Sequence, residues 1–448
     1  MEILNTINFS KLHEWDIKRT KSVVHFFRYP QCRLSKVLSK ADVEWVNIED
    51  DKEYPLLGVH AHGEGVYINK VAKGKELTMR AYQKSQSYLL FYCKVRTVNG
   101  QWGIVYPQFE DSYGSSNMQY LKIEQDLLSP IFLENLLKVK RLTKEWDKNA
   151  IGANGRHFPL KTLLSLEIPL PTRKQQDGIV AKYNQTISDA KSKEKQAGQL
   201  ENAIEQYLLS TLGIKQNTQE DNSHLEHLHI TNYKQLSQWG YDYLLWNGKS
   251  ILESTLYPNV LLSKLMDVNP QTSFSSLDKD NDVSFVPMEC VSDAYGELKE
   301  RKVVKVSQSK GFTKFQNGDL IWARITPCMQ NGKSAIVDNL QNGFGCGSTE
   351  FHVLRKFSSE VMTEYVYCLL RTHCVLEDAK RYFTGSAGQQ RVPRSYLQNL
   401  AIPLPLIDIQ KEIVSNILKM KSQIKSLKQQ ASDLRKKALS DFENEIFE

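Results

Sequence analysis

Nine apolar positions, Ile413, Ile417, Met420, Ile424, Leu427, Ala431, Leu434, Ala438 and Phe442, follow one another at steps of four and three without a break. Such a seam lies along one side of an α-helix and shuns water over its whole length, so it demands a straight helical partner. The spacing predicts a coiled-coil helix whose 29 steps from 413 to 442, at ~1.5 Å each, make roughly 44 Å.

The partner lies in the same chain. Ile402-Pro403-Leu404-Pro405, followed by Gln410 and Ile413-Val414, repeats Ile168-Pro169-Leu170-Pro171, followed by Gln176 and Ile179-Val180, at a constant displacement of 234 residues. Carried along the earlier helix, that displacement puts Ile179, Tyr183, Thr186, Ala190, Lys193, Ala197, Leu200, Ile204 and Leu208 on the equivalent seam. Thr186 and Lys193 interrupt the apolar row, and the small Ala190 and Ala197 favour close approach of the two backbones.

The repeat reaches further back. Tyr29-Pro30 with Leu34-Ser35-Lys36 recurs as Tyr257-Pro258 with Leu262-Ser263-Lys264, 228 residues on, and Gly152-x-x-Gly155 recurs as Gly385-x-x-Gly388. A period this long is a duplicated domain rather than a solenoid. Within each half, short strand-like runs (88–93, 103–106, 283–287, 320–323 and 335–337) alternate with turn signals such as Asn99-Gly100, Asn317-Gly318, Asn331-Gly332 and Asn342-Gly343. Helix-like segments follow at 130–139 and 363–372. The expected fold is therefore α+β: two tandem domains of mixed, largely antiparallel sheet with two long helices packed as an antiparallel coiled coil, related by a pseudo-twofold repeat. The expected organisation is a first domain over 1–171, a central helix over 172–212, a polar linker over 213–238, a second domain over 239–405 and a C-terminal helix over 406–448.

Several function classes fall away. The seven cysteines form no Cys-x-x-Cys pair, so neither a disulfide framework nor a zinc ribbon is expected. His224, His227 and His229 cluster in the linker without a completing ligand set, so no metal is expected. No run of about eighteen apolar residues occurs and the first 21 positions carry charges, which points away from membranes and secretion toward the cytoplasm. There is no phosphate-binding Gly-x-x-x-x-Gly-Lys-Ser/Thr, no Asn/Asp-Pro-Pro-aromatic methyltransferase tetrad and no paired-carboxylate nuclease pattern, so no catalytic residue is expected. Gly343-Phe344-Gly345-Cys346-Gly347 has the look of a cofactor loop but lacks a following helix, and reads as a tight loop between strands.

The basic residues are grouped. Lys70, Lys73, Lys75, Arg80 and Lys84 stand against Glu76 alone, with Tyr82 among them. In the second half Lys299, Arg301, Lys302, Lys305, Lys310 and Lys314 stand against Glu300, with Phe312 among them. One basic patch per domain suits a long polyanion gripped at two places. Residues 411–437 hold eight basic and two acidic side chains; this is most simply the solvated side of a coiled coil.

The ordered set resembles the DNA specificity subunit of type I restriction-modification systems. The residues that carry the likeness are Leu-Ser-Lys at the start of each half, Gly318-Asp319-Leu320-Ile321 with Arg324, Asn331-Gly332-Lys333, Ser348-Thr349-Glu350-Phe351, the Gly-x-x-Gly pairs and Ile-Pro-Leu-Pro. The first half carries Gly58-Val59, His62-Gly63 and Gly65, but has Ser87-Tyr88 and Cys93-Lys94 where Gly318-Asp319 and Arg324 would align.

The resemblance implies two target-recognition domains, each reading half of a bipartite, asymmetric site in double-stranded DNA, with the helix pair as spacer. It implies docking of two modification subunits that carry S-adenosylmethionine for adenine N6 methylation, with restriction subunits, which use ATP and Mg, joining through them. Since bases are read by Arg, Lys, Asn and Gln in the grooves, the candidate DNA contacts are Lys73, Lys75, Arg80, Asn154 and Arg156 in the first domain. In the second they are Lys305, Lys310, Lys314, Arg324, Lys333, Gln389, Gln390 and Arg391. For Arg324 a structural pairing with Asp319 is the competing expectation. Two rival functions stand beside this one: a stand-alone DNA methyltransferase, and a coiled-coil adaptor that binds no DNA.

Overall fold

The structure is a computed structural model that describes residues 27–94, 100–147, 159–214, 250–293, 297–298, 300, 302–386 and 388–447. Asn154, Arg156, the first Gly-x-x-Gly pair, the linker histidines, Lys299 and Arg301 lie outside the described residues. The chain divides into two compact units, Met1–Glu194 with Gln429–Glu448, and Lys195–Lys428.

Both long helices form, over Arg173–Thr211 and Ile407–Phe447. The first opens on Thr172, whose N–H is accepted by the Gln175 side chain at 3.0 Å, so a donor that no helical turn can satisfy is met by a side chain one turn on. In the first unit the ring of Tyr183 meets Phe442 edge-on at 5.9 Å, and Arg435 forks onto Glu194 at 3.0 and 2.9 Å. In the second, Asn416 donates to the Tyr207 hydroxyl at 2.8 Å and Lys428 to Glu201 at 2.7 Å. Partner numbers fall along one helix as they rise along the other, so in each unit the helices run antiparallel. Ile179, Ala190, Ala197, Leu208, Ile413, Ile417, Ile424, Ala431, Ala438 and Phe442 are buried. Tyr183, Thr186, Lys193, Leu200, Ile204, Met420, Leu427 and Leu434 are half-buried.

Each unit closes its ends on themselves. Gln31–Arg33 pairs antiparallel with Glu167–Pro169, and Asn259–Leu261 with Ala401–Pro403, so the start of each domain is zipped to the strand just before its long helix. The Leu-Ser-Lys segments follow as 3-10 turns, Leu34–Lys36 and Leu262–Lys264, with Leu34 and Leu262 in the core.

Two sheets lie on this frame in each domain. In the second unit one sheet runs, in spatial order, Met266–Val268, Phe351–Lys356, Asp319–Ala323, Ser334–Val337. Its counterpart in the first unit has the order Leu38–Lys40, Met118–Ile123, Leu89–Cys93, Trp102–Ile104. Every pairing in these two sheets is antiparallel. A second sheet of four strands in the second unit and of five in the first contains one parallel contact each, Asp282–Val286 with Phe344–Gly347, and Leu56 with Tyr113. The fold is thus α+β with largely antiparallel sheet.

Two local expectations are corrected. The glycine-rich run is no loop: Phe344–Gly347 is a strand between Asp282–Val286 and Thr313–Gln316. Its glycines are there for space, since a Cβ on Gly345 would stand 2.4 Å from the Phe315 ring and one on Gly347 2.2 Å from the Val286 carbonyl. The alignment of the halves also shifts by one residue. Leu90 faces Leu121 as Leu320 faces Leu354, which matches Tyr88, not Ser87, to Gly318. Both have positive φ, 60° and 84°, and both donate forward in the chain, Tyr88 to the Val105 carbonyl and Gly318 to that of Val337.

Candidate nucleic-acid interface

The described candidate residues of the first domain gather along one sheet. Lys73 ends the strand Val66–Lys73, an edge strand paired only with Glu53–Val59; Lys75 sits in the following 3-10 turn and Arg80 just before Ala81–Lys84, and all three are exposed. The turn is held where it is because Gly74 donates to the Lys52 carbonyl and Lys75 to that of Asp50. Gly74 is required there: a Cβ would lie 2.0 Å from the Glu49 carbonyl oxygen. Tyr82, expected beside this patch as an aromatic surface, is instead buried in a cluster with Tyr54 and Tyr113, because on Ala81–Lys84 it takes the inward position. The exposed aromatic of this sheet is Trp45, 52% exposed on the opposite edge strand Trp45–Asn47, which no periodicity in the sequence marked.

In the second domain several candidates are already engaged. Lys305 lies 2.8 Å from Asp282, Lys333 donates to the Met288 carbonyl at 3.2 Å, and Lys314 sits 4.6 Å over the Phe274 ring. Lys302, from the same basic stretch, meets Glu289. Lys310 is exposed beside Gly311. The basic run is thus answered in part by acids that lie far from it in sequence. Phe312 remains 39% exposed, with its edge against Phe285 at 5.0 Å.

The densest constellation forms where the Gly-x-x-Gly segment returns to the sheet. Thr384 and Arg391 exchange backbone hydrogen bonds of 2.9 and 3.0 Å, closing a hairpin whose Gly385 and Gly388 take positive φ, 104° and 83°. Gln389 is exposed and Gln390 half-buried. Arg391 grips Glu350 through Nε at 3.1 and 2.9 Å and through Nη2 at 2.8 Å, and donates Nη1 to the Gln389 carbonyl. Arg324 donates Nε to the same carboxylate at 3.2 Å. The pairing of Arg324 with Asp319 is overturned: Asp319 takes the fork of Arg355 at 2.7 and 2.6 Å, and Arg324 at the strand end looks the other way. With Arg391 first and Arg324 after it, the guanidinium bonds hold the Glu350 carboxyl below the usual range.

Beneath this cluster His352 is buried between the Val392 carbonyl (2.9 Å) and the Asn269 amide (3.0 Å). Burial, reinforced by the nearby charges of Arg324 and Arg394, pushes its pKa down to about 4, so it is neutral at physiological pH. In the first domain the register-equivalent positions of Arg324 and Glu350 are Lys94 and Asn117, and the backbone bond between them persists: Lys94 N–H to the Asn117 carbonyl at 3.0 Å, Arg324 N–H to that of Glu350 at 2.9 Å. Glu350 was visible in sequence only as part of a motif, since nothing local tells which arginine a carboxylate will meet.

Residues 262–435 match the family described as the type I restriction modification DNA specificity domain. The type I restriction enzyme EcoEI specificity subunit of Escherichia coli is 36% identical over 173 residues, 38% of this chain and 29% of that protein. The EcoAI specificity subunit, also of Escherichia coli, is 37% identical over 175 residues, again 38% and 29%. The chain thus aligns with less than a third of the length of these relatives. A solved chain from work on complex assembly and conformational transition of the type I R-M system superposes with a TM-score of 0.55 at 14% identity, covering 93% of this chain and 97% of the other, a likeness of fold. Residues 262–435 thus carry the likeness to the type I restriction modification DNA specificity domain, and the first half repeats the order of its antiparallel four-stranded sheet and its long helix.

Proposed function

We propose that this chain is the sequence-reading subunit of a type I restriction-modification complex, in which each sheet domain reads one half of a bipartite, asymmetric site in double-stranded DNA. The observation that carries the reading is the duplication itself: two domains of like sheet order with different side chains, each continuing into a long helix. Two different readers on one repeated frame suit two different half-sites, and a pair of long helices suits a spacer of set length. The side chains available for DNA contact, to base edges or to phosphates, are Lys73, Lys75 and Arg80 in the first domain and Lys310, Arg324, Gln389 and Gln390 in the second.

On this reading the chain itself breaks no bond. Two modification subunits bring S-adenosylmethionine and methylate one adenine in each half-site, and restriction subunits bring ATP and Mg. Among the described residues no helix is long and apolar enough to cross a membrane, and the place of action proposed is the cytoplasm, where the DNA is.

The test is single-molecule methylome sequencing of a methylation-free host that expresses the chain with its modification subunit, compared with a host lacking only this chain. A new split motif methylated once on each strand is the expected result. A soluble complex that leaves no new motif overturns the reading and favours an adaptor role.

A further inference from the structure

The Glu350 cluster offers more donors than it consumes. Arg391 has every nitrogen engaged: Nε and Nη2 lie on Glu350 and Nη1 on the Gln389 carbonyl. Arg324 gives only Nε to Glu350, and among the described residues its two outer nitrogens have no partner, with the side chain 35% exposed. Two guanidiniums on one carboxylate leave an excess positive charge, and the exposed Arg394 stands close enough to bear on the same buried histidine. Glu350 therefore does not cancel the arginines; it aims one of them.

The aim is rigid. Arg324 lies one residue past Asp319–Ala323, its N–H bonded to the Glu350 carbonyl and its carbonyl accepting from Val392; Thr326 donates to the Gln390 carbonyl. A guanidinium fixed by Nε presents a parallel N–H fork, which matches two oxygens of a phosphodiester. A fork anchored on a strand end sets position, while the Gln389 amide at the hairpin tip is free to match an adenine edge.

We propose that Glu350 is a positioning residue: it holds Arg324 as a fork for one backbone phosphate of duplex DNA and, through Arg391, locks the hairpin that carries Gln389 beside that contact. Among the described residues of the first domain the equivalent register carries a different contact: Lys94 donates its ammonium to the Ser116 carbonyl at 2.9 Å. This inference rests on the reading of the chain as a DNA-recognition subunit.

The experiment uses the full chain complexed with its modification subunits. Fluorescence anisotropy is recorded over a salt series with a duplex carrying the methylated motif and with a scrambled duplex. Arg324→Gln is expected to weaken both duplexes alike, by roughly tenfold, and to lower the log–log salt slope by about one. Arg324→Lys, which keeps the charge but not the fork, is expected to recover the slope and only part of the affinity. Glu350→Gln is the decisive variant: removing a negative charge near DNA should tighten binding if the carboxylate merely repels phosphate, whereas a positioning role predicts weaker binding to both duplexes. Gln389→Ala should change discrimination at one base pair and leave the slope alone.

The proposal is overturned if Arg324→Gln binds like the wild type, if it alters preference at one base pair, or if Glu350→Gln binds more tightly. Should Arg324→Gln prove unfolded by circular dichroism, Arg324→Lys decides: full wild-type affinity overturns the fork. A wild-type complex that neither methylates a motif nor prefers one duplex instead refutes the DNA-recognition reading itself.

Discussion

Gln410 donates Nε2 to the carbonyls of Glu360 and Pro405, both at 2.8 Å, and accepts the Met362 N–H at 2.9 Å; Gln176 repeats the three bonds in the first unit, to Leu127, Pro171 and Ser129, at 2.7, 2.8 and 2.8 Å. Both side chains are fully buried. Each glutamine sits in the first turn or so of a long helix and ties it to the loop before the domain's own short helix, so the direction in which the long helix leaves its domain is set by three hydrogen bonds.

Replacing either glutamine by alanine strands two carbonyls and one N–H in the interior. The expected destabilisation is about 2–4 kcal/mol, read as a lowered urea midpoint. Gln410→Glu should be worse still at neutral pH, because it turns a carboxylate toward two carbonyl oxygens.

The buried ion pair of Asp319 and Arg355 has a different occupant in the first domain. Asp319 is 1% exposed and is held by both nitrogens of the fork and by the Gln316 N–H, whereas Leu89 and Lys122 face each other at the corresponding step. Arg355→Ala, which leaves the carboxylate buried and unpaired, should cost about 3–5 kcal/mol. The double change Asp319→Leu with Arg355→Lys should recover most of that in the same urea titration, since the sister domain is built that way. No recovery would mean that the pair specifies the register of its strands.

His352 makes the second unit sensitive to acid. Its folded pKa of about 4 lies below its ordinary 6.5, so the unfolded chain binds the proton more readily. Stability is full above about pH 6.5, declines as pH falls toward 4 and levels off below, a change of roughly 3 kcal/mol. His352→Gln can still donate to the Val392 carbonyl and has no proton to gain, so its unfolding free energy should be flatter across that window. An equal slope in wild type and variant would place the acid sensitivity elsewhere, with carboxylates such as Glu350 acting at lower pH.

The seam allows the spacer role to be tested by length. Removing one seven-residue period from each long helix, residues 194–200 and 429–435, preserves the four-three phase and shortens each by ~10.5 Å. In the methylating complex the unread spacer should shrink by about three base pairs at ~3.4 Å each, with both half-sites unchanged. Methylome sequencing reads this directly, and an unaltered spacer with full methylation would remove the helices from that role.

Much of this architecture is legible in the chain because it is written at short range or repeated. Steps of four and three need only a helix to bury them, and Ala190 and Ala197 at zero exposure are the small residues such a seam requires. Gln176 and Gln410, or Leu34 and Leu262, announce themselves by recurring at the same place in the two halves. The candidate site is less legible. Tyr82 alternates inward by the parity of its strand, Lys305 finds Asp282 across a sheet, and neither relation has a local signature.

The sequence by itself determined the duplication, the antiparallel-capable helices and the α+β class, because periodicity and recurrence are properties of the string. Tertiary structure alone decided that Arg324 and Arg391 share Glu350 while Asp319 goes to Arg355, and that the glycine run is a strand. Partners 26 to 41 residues apart in the chain are chosen by the register of packed strands, and one residue of register turns every side chain to the other face.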